Sequence, residues 1–435
     1  MKRLASHPSE LLNRASELTL TMDGRQLPAF AGDTIGSAMA AHGVTVTGRS
    51  FKYHRPRGLR CMTGACANCL VTVDGVPNVR ACLEPVRDGM TVRRQNAWPS
   101  VDRDLLGVFD RLAWALPAGF YYKAFHRPAF LWPLVEPIIR RLAGLGRVPD
   151  RVIAHDAQKV YLHPDVLVIG GGRSGLRAAI QVAKAGKNTV LIEGRAELGG
   201  RTRSSASYAE VASLTAEAER AGIRILLRTA GLGAFEGGLI VAAGEDRLFH
   251  IRPKEIVIAT GAIEQIPVFP NNDLPGIMTG EAVDRLLHLY RILPGSRGVV
   301  VAYGPKAHET AKALQAAGAE VTVIDPGTEV IESALGRGRL RGVVLRSRTG
   351  TRQLACDLLV VSGLGVPAAG LVPQLGGRLR FDEQIQALVA EGLPNHIRAT
   401  GAVTGSSRAG VTVPPASSPA SGKQFACTCM DVTKK

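Results

Sequence analysis

Asp165-Val166-Leu167-Val168-Ile169-Gly170-Gly171-Gly172-Arg173-Ser174-Gly175 is the stretch that decides the fold. Its apolar run reads as a strand buried on both faces, and a glycine-rich turn leads from it into an apolar helix over Leu176 to Ala185. A second strand, Thr189 to Ile192, ends in Glu193, eighteen residues beyond Gly175. In such a unit Gly170 permits the tight turn, Gly172 lets the backbone approach a pyrophosphate, and Gly175 lets helix and strand pack closely. The N–H groups of residues 172 to 175, with Arg173 and Ser174 among them, point at the phosphates from the helix N-terminus. Glu193, followed by Gly194, stands where a carboxylate accepts the two ribose hydroxyls of a dinucleotide. The fingerprint reads the ADP-ribose portion alone, so FAD and NAD both stay open.

Farther along, Glu197-Leu198-Gly199-Gly200-Arg201 and Ile256-Val257-Ile258-Ala259-Thr260-Gly261 supply small residues for a second close approach of backbone to that cofactor. Strands alternate with helical stretches from residue 164 onward, which predicts βαβ units and parallel sheets. Gly298 to Gly304 opens another such unit, with a helix over Glu309 to Ala317 and a strand over Val321 to Ile324. Its loop, Ala302-Tyr303-Gly304-Pro305-Lys306-Ala307, has alanines where glycines should stand, and Tyr303 and Pro305 obstruct a pyrophosphate. The expectation is a second nucleotide-binding-like fold that holds no nucleotide.

Upstream, the pattern changes to short strands. Leu18 to Met22 and Gln26 to Phe30 flank Asp23-Gly24, and Leu70 to Val73 and Val76 to Ala81 flank Asp74-Gly75, two hairpin signals. Asp33 or Thr34 caps a short helix, Ile35 to Ala41, which Gly43 stops. The first 95 residues therefore read as a small β-rich domain with one helix. Inside it, Cys61-Met62-Thr63-Gly64-Ala65-Cys66-Ala67-Asn68-Cys69 gives C-x4-C-x2-C, and Cys82 follows at the end of the second hairpin. That triplet has the spacing of plant-type 2Fe-2S loops. Three thiolates on one loop need small neighbours so that backbone N–H groups reach the sulfurs, and Gly64, Ala65 and Ala67 meet the need. Zinc is the competing metal, but zinc sites favour two short C-x2-C knuckles and only Cys66 and Cys69 form one. Structural thiols without metal are the third reading.

The 435 residues are 46% hydrophobic and 21% charged, which is ordinary globular usage and excludes extended disorder. The net charge of +16 comes from basic residues spread over the whole length rather than gathered on one stripe, so nucleic acid is not an expected partner. No apolar run reaches about 18 residues and the N-terminus has no apolar core, so neither a membrane span nor a secretory signal is expected. The chain reads as cytoplasmic. Residues 96–162 hold all three tryptophans and read as an aromatic connector with short helices. No nucleophile–histidine–aspartate set stands out, and no catalytic residue is assigned.

Together the cysteine loop and the paired nucleotide units imply an α+β ferredoxin-like (β-grasp) domain followed by an α/β glutathione-reductase-like region with two Rossmann domains. With Ser50-Phe51-Lys52-Tyr53-His54-Arg55-Pro56-Arg57-Gly58, Asn96-Ala97-Trp98-Pro99-Ser100 and Asn271-Asn272-Asp273-Leu274-Pro275-Gly276, the whole resembles the α subunit of heteromeric sarcosine oxidase. It is similar as well to the multisubunit proline, hydroxyproline, opine and cyanide-forming dehydrogenases, because it keeps all four cluster cysteines. The resemblance implies an electron-transferring α subunit of an amine or amino-acid oxidoreductase. It implies an FAD-containing β subunit, further small subunits, FMN at the subunit interface and an external electron acceptor. A self-sufficient NAD(P)H-dependent reductase and a non-catalytic scaffold are the alternatives. Oxidase α subunits continue into a folate-binding half that residues 1–435 do not include. The tail Phe425-Ala426-Cys427-Thr428-Cys429 resembles the opening C-x-C of a second cluster module. The domains expected are residues 1–95, the connector 96–162, a first nucleotide domain over 163–290 and 364–422, a second over 291–363, and the tail 423–435. In the connector, Tyr121, Tyr122 and Lys123 are the residues expected to face a partner.

Overall fold

The computed structural model describes residues 2–112, 127–142, 157–408, 423–427 and 432–433. Tyr121, Tyr122, Lys123 and Cys429 lie outside the described residues. The chain divides into two compact units. One contains Met1–Arg151, Ile266–Ser362 and Pro414–Lys435; the other contains Val152–Gln265 and Gly363–Val413. Among the described residues, no helix is long and apolar enough to cross a membrane.

In the first unit, strands Asn13–Met22 and Arg25–Ala31 pair through the turn Asp23-Gly24, whose residues both take positive φ, 48° and 81°. Leu70–Val73 and Val76–Arg80 repeat the device around Asp74-Gly75. Thr91–Arg94 lies between the hairpins, parallel to Asn13–Met22 and antiparallel to Leu70–Val73, completing a five-stranded mixed sheet. Helix Ile35–Ala41 packs on it, and Thr34 and Ser37 close a reciprocal capping box at its start. Replacing such a cap costs about 1 kcal/mol. Leu20, Ile35, Met39, Val71 and Val92 are fully buried, each contributing about 1.5–3 kcal/mol of apolar burial. This is the ferredoxin-like arrangement expected from the hairpins.

The same unit holds the second nucleotide-like sheet: Ile277–Thr279, Leu358–Ser362, Arg297–Ala302 and Glu320–Ile324, in that order and all parallel. Its strand Ile277–Thr279 and helix Gly280–His288 precede residue 291, where the sequence reading placed the start of this domain. Their apolar residues face Val300 and Val360, a long-range partnership that local patterning does not contain. This sheet and the ferredoxin-like sheet share one core, in which Ile35 and Met39 join Met278, Leu286, Val300 and Val360.

The other unit is built on five parallel strands ordered Arg224–Leu226, Thr189–Ile192, Val166–Ile169, Glu255–Ile258 and Ile397–Ala399. Val166–Ile169 and Thr189–Ile192 are buried at every position, as a strand covered on both faces requires. Helix Arg173–Lys184 covers one face with Leu176, Ala179 and Ile180. Strand Gln158–Leu162 pairs with Arg247–Ile251, so the connector gives way to this unit before residue 162.

Candidate functional site

The glycine turn after Val166–Ile169 separates into residues the fold requires and one it does not. Gly170 has φ 111°, and a Cβ there would stand 2.4 Å from the Ala259 carbonyl oxygen. On Gly175 a Cβ would stand 1.9 Å from the carbonyl oxygen of Gly170. Both must be glycine for the strand, turn and helix to pack. Gly172 is different. Its φ is −70°, and the nearest atom to an added Cβ is the Gly200 Cα at 4.0 Å. Nothing in the protein demands glycine at 172, and the missing side chain leaves open space at the start of helix Arg173–Lys184.

Three further segments converge on this turn. Gly199 donates its N–H to the Gly171 carbonyl at 2.7 Å, and Gly199 has φ 99° with Gly200 at 52°. Ala259 donates to Ile169, Thr260 Oγ1 donates to the Ala368 carbonyl, and Gly261 has φ 75° with no neighbour within 4 Å of a Cβ. The Glu193 carboxylate accepts the Gly171 N–H at 2.7 Å and the Arg195 N–H at 2.9 Å. Gly194 is exposed beside it. Gly170, Gly172, Ser174, Gly175, Glu193, Gly199, Gly200, Ala259, Thr260 and Gly261 are therefore brought to one end of the parallel sheet. The Arg173 side chain is drawn to the surface by Glu210 at 3.0 Å, and Arg201 is held by the buried carboxylate of Glu264 at 2.5 Å. Glu264 also accepts the Gly363 N–H at 3.0 Å. Sequence reasoning missed Glu264, and it missed Gly401, whose φ of 77° brings it against Ser174. A signal existed: Ala399-Thr400-Gly401 repeats Ala259-Thr260-Gly261 at the end of the neighbouring strand.

The corresponding loop of the other parallel sheet carries bulkier residues. Tyr303 is buried, its hydroxyl pushed up to about 12 by burial, and Pro305 begins helix Pro305–Ala316. Gly304 has φ 131° in the turn before that helix.

The four N-terminal cysteines gather on the ferredoxin-like domain. Cys61, Cys69 and Cys82 are buried and Cys66 is half-buried; none forms a disulfide. Met62 and Gly64 take φ 52° and 74°, curling the loop so that its backbone faces inward. Cys66 donates to Cys61 with sulfurs 3.3 Å apart, and the Thr63 N–H points at Cys61 Sγ at 3.5 Å. Hydrogen bonds from Cys66 and Cys82 draw Cys61 towards the thiolate, and Cys82 does the same for Cys69. The hydrogen bonds that Cys66 and Cys82 make to those sulfurs raise their own pKa. Among the described residues no group of three or more metal-ligating side chains is arranged around one point as a single-ion shell. The four sulfurs instead form a connected chain of contacts. Donor type, loop curvature and inward N–H groups fit a 2Fe-2S cluster on Cys61, Cys66, Cys69 and Cys82.

Both domains match known families. Residues 15–97 match the 2Fe-2S iron-sulfur cluster binding domain family, and residues 164–340 match the pyridine nucleotide-disulphide oxidoreductase family. The sarcosine oxidase subunit alpha of Rhizobium meliloti is 33% identical over 425 residues, 88% of this chain and 43% of that protein. Hydrogen cyanide synthase subunit HcnA of Pseudomonas aeruginosa is 34% identical over 90 residues, 21% of this chain and 85% of that protein. The crystal structure of L-proline dehydrogenase from P. horikoshii shares the fold, with a TM-score of 0.67 at 22% identity over 92% of this chain and 71% of that one. The chain spans less than half the length of the sarcosine oxidase α subunits it matches, 43% in the Rhizobium protein. It is a homologue of those α subunits, and it joins a 2Fe-2S cluster-binding domain to a pyridine nucleotide-disulphide oxidoreductase domain.

Proposed function

We propose that this chain is the cofactor-holding, electron-transferring subunit of a multisubunit flavin oxidoreductase acting on the C–N bond of an amine or amino acid. The observation that carries the reading is Gly172: a glycine the fold does not need, facing open space at a helix N-terminus. A dinucleotide, FAD or NAD, accounts for it. Its pyrophosphate would lie against Gly172, Ser174 and the facing Gly199 and Gly200, with free N–H groups and the helix dipole favouring the negative charge. Glu193 would turn its remaining lone pairs to the ribose. Gly170 and Gly175 set the turn, and Ala259, Thr260 and Gly261 leave room on the neighbouring strand. Arg173, Gly194 and Arg201 stand at the margin, the two arginines held back by Glu210 and Glu264.

Cys61, Cys66, Cys69 and Cys82 would hold the 2Fe-2S cluster, which supplies one-electron transfer when bound. Removal of the substrate's two-electron hydride then falls to flavin on a partner, an FAD-containing β subunit with FMN at the interface and further small subunits. The domains proposed keep the sequence-based division, with the second nucleotide-like domain extended back to include Ile277–Thr279. The free thiols suit a reducing cytoplasmic setting. An NAD(P)H-dependent reductase would need a second nucleotide site, and Tyr303 and Pro305, standing in the loop where such a site needs small residues, argue against one.

The test is activity by composition. The purified chain alone should not turn over sarcosine, proline or an opine, whereas co-expression with a β subunit should give a complex with added flavin and dye-linked amine dehydrogenase activity. Turnover of any of these amines by the single chain at enzymatic rates contradicts the reading.

A further inference from the structure

We propose that a cavity in the first unit, between the loop Gly43-Val44-Thr45 and the leading edge of the second nucleotide-like sheet, binds a phosphate monoester with an apolar body. The site is separate from the dinucleotide turn, and nothing in it depends on a bound cluster.

The cavity has a volume of about 860 Å³, within the range of small-molecule sites. Its walls are the segments that lead into three parallel strands. Pro275 and Gly276 precede Ile277–Thr279, Pro294 to Ser296 precede Arg297–Ala302, and Cys356 and Asp357 precede Leu358–Ser362. It therefore lies at the opposite edge of this sheet from Tyr303 and Pro305, which follow the strand Arg297–Ala302. Its floor is apolar. Leu59, Met278 and Leu286 line it and belong to the core that this sheet shares with the ferredoxin-like sheet, so that surface is fixed by packing.

The polar lining is unbalanced in charge. Arg297, Arg339 and Arg341 line the cavity as exposed residues, against the single carboxylate of Asp357. Asp357 is committed elsewhere: its oxygens accept the Ser296 N–H at 3.0 and 3.1 Å, the Arg297 N–H at 2.8 Å and the Ser296 hydroxyl at 2.8 Å. Among the described residues, no carboxylate forms an ion pair with any of the three arginines. Two of them are placed by a tethered backbone. Gly336 has φ 146°, and a Cβ there would stand 2.0 Å from the Arg339 carbonyl oxygen, so the turn before them needs glycine. Leu340, 2% exposed, donates its N–H to the Pro275 carbonyl at 2.8 Å, and Arg341 donates its own to Leu335 at 2.8 Å. The Arg341 carbonyl in turn accepts the Cys356 N–H at 3.2 Å. Arg339 and Arg341, on either side of Leu340, thus have little backbone freedom left to lose on binding. Guanidinium forks take phosphate oxygens two at a time, and a doubly charged phosphate suits three of them better than a singly charged carboxylate. The apolar floor takes the rest of the ligand.

The experiment is titration calorimetry of the full chain with 1-naphthyl phosphate, n-hexyl phosphate and inorganic phosphate. At least one ester should bind about tenfold or more tightly than inorganic phosphate, because only an ester buries an apolar body. The tighter of the two shows whether that body is a ring or a chain. The double variant Arg339→Ala, Arg341→Ala should weaken the esters by about tenfold or more, with thermal unfolding of the ligand-free protein unchanged, since both side chains are exposed. Val44→Trp, which sets a ring in the cavity, should abolish ester binding while dinucleotide content stays at the wild-type level. Esters that bind no tighter than inorganic phosphate overturn the proposal, leaving only a basic surface. Esters that bind the double arginine variant as tightly as the wild type overturn it too, since they then sit elsewhere, the dinucleotide turn included. If Val44→Trp fails to fold, the arginine variant still decides.

Discussion

The carboxylate of Glu193 accepts the backbone N–H of Gly171 at 2.7 Å, so the acid at the end of one strand fastens the glycine turn at the end of the next. Glu193 thus has two tasks, holding the turn and receiving a ribose. Glu193→Ala should therefore cost about 1–3 kcal/mol of stability through the unpaired Gly171 and Arg195 N–H groups, besides weakening the dinucleotide. Glu193→Gln should recover part of the stability, since its amide oxygen can still accept one N–H. Denaturant unfolding and cofactor content, measured on both variants, separate the two tasks.

The glycines make a sharper comparison. Gly172→Val should leave folding within about 1 kcal/mol of the wild type, because φ −70° and open space tolerate a side chain, yet it should expel the dinucleotide. Gly175→Ala should destabilise by about 3 kcal/mol or more, its Cβ driven into the Gly170 carbonyl. Undiminished cofactor in folded Gly172→Val protein would remove this turn as the site.

Asn272 is buried and ties the chain end to the first unit: Nδ2 donates to the Phe425 carbonyl at 2.9 Å and Oδ1 accepts the Phe425 N–H at 3.0 Å. The Phe425 ring lies under Arg55 and Arg57, each 5.3 Å from its centroid. Asn272→Ala should cost about 2–3 kcal/mol by leaving two buried backbone groups unpaired. Thermal unfolding and limited proteolysis near residue 423 provide the check.

His288 has its pKa lowered to about 4, first by burial and then by the charges of Lys306 and Arg291. Because the folded value is depressed, the unfolded chain binds the extra proton between its ordinary value near 6.5 and about 4. Stability is therefore intact above that range and falls as pH drops through it, by about 1–2 kcal/mol once partial solvent screening is allowed for. His288→Gln should flatten this part of the stability–pH curve, measured by denaturant midpoints at several pH values.

Much of this was legible in the sequence. Val166–Ile169, Thr189–Ile192 and helix Ile35–Ala41 fall where the apolar runs, Glu193 and Thr34 put them, because burial on both faces and a capping residue are local signals. The cysteine loop was legible for the same reason, since Cys61, Cys66 and Cys69 share one short loop and Cys82 follows the next hairpin. What escaped depends on distant partners. Glu264 reads as an ordinary surface acid until the fold sets it against Arg201, and Asp273 is silent until residues 55 and 57 arrive more than two hundred positions away in sequence. The early start of the second parallel sheet at Ile277 escaped because a three-residue strand carries too few positions to show a period.

The central claim is that this chain holds a 2Fe-2S cluster on Cys61, Cys66, Cys69 and Cys82. The most direct measurement is metal and sulfide analysis of the anaerobically reconstituted chain, together with low-temperature paramagnetic resonance before and after one-electron reduction. The account predicts about two irons and two sulfides per chain, a signal that develops only on reduction, and loss of iron in Cys61→Ser and Cys69→Ser. Zinc bound in their place, with no signal from the fully metallated, reduced protein, would contradict it.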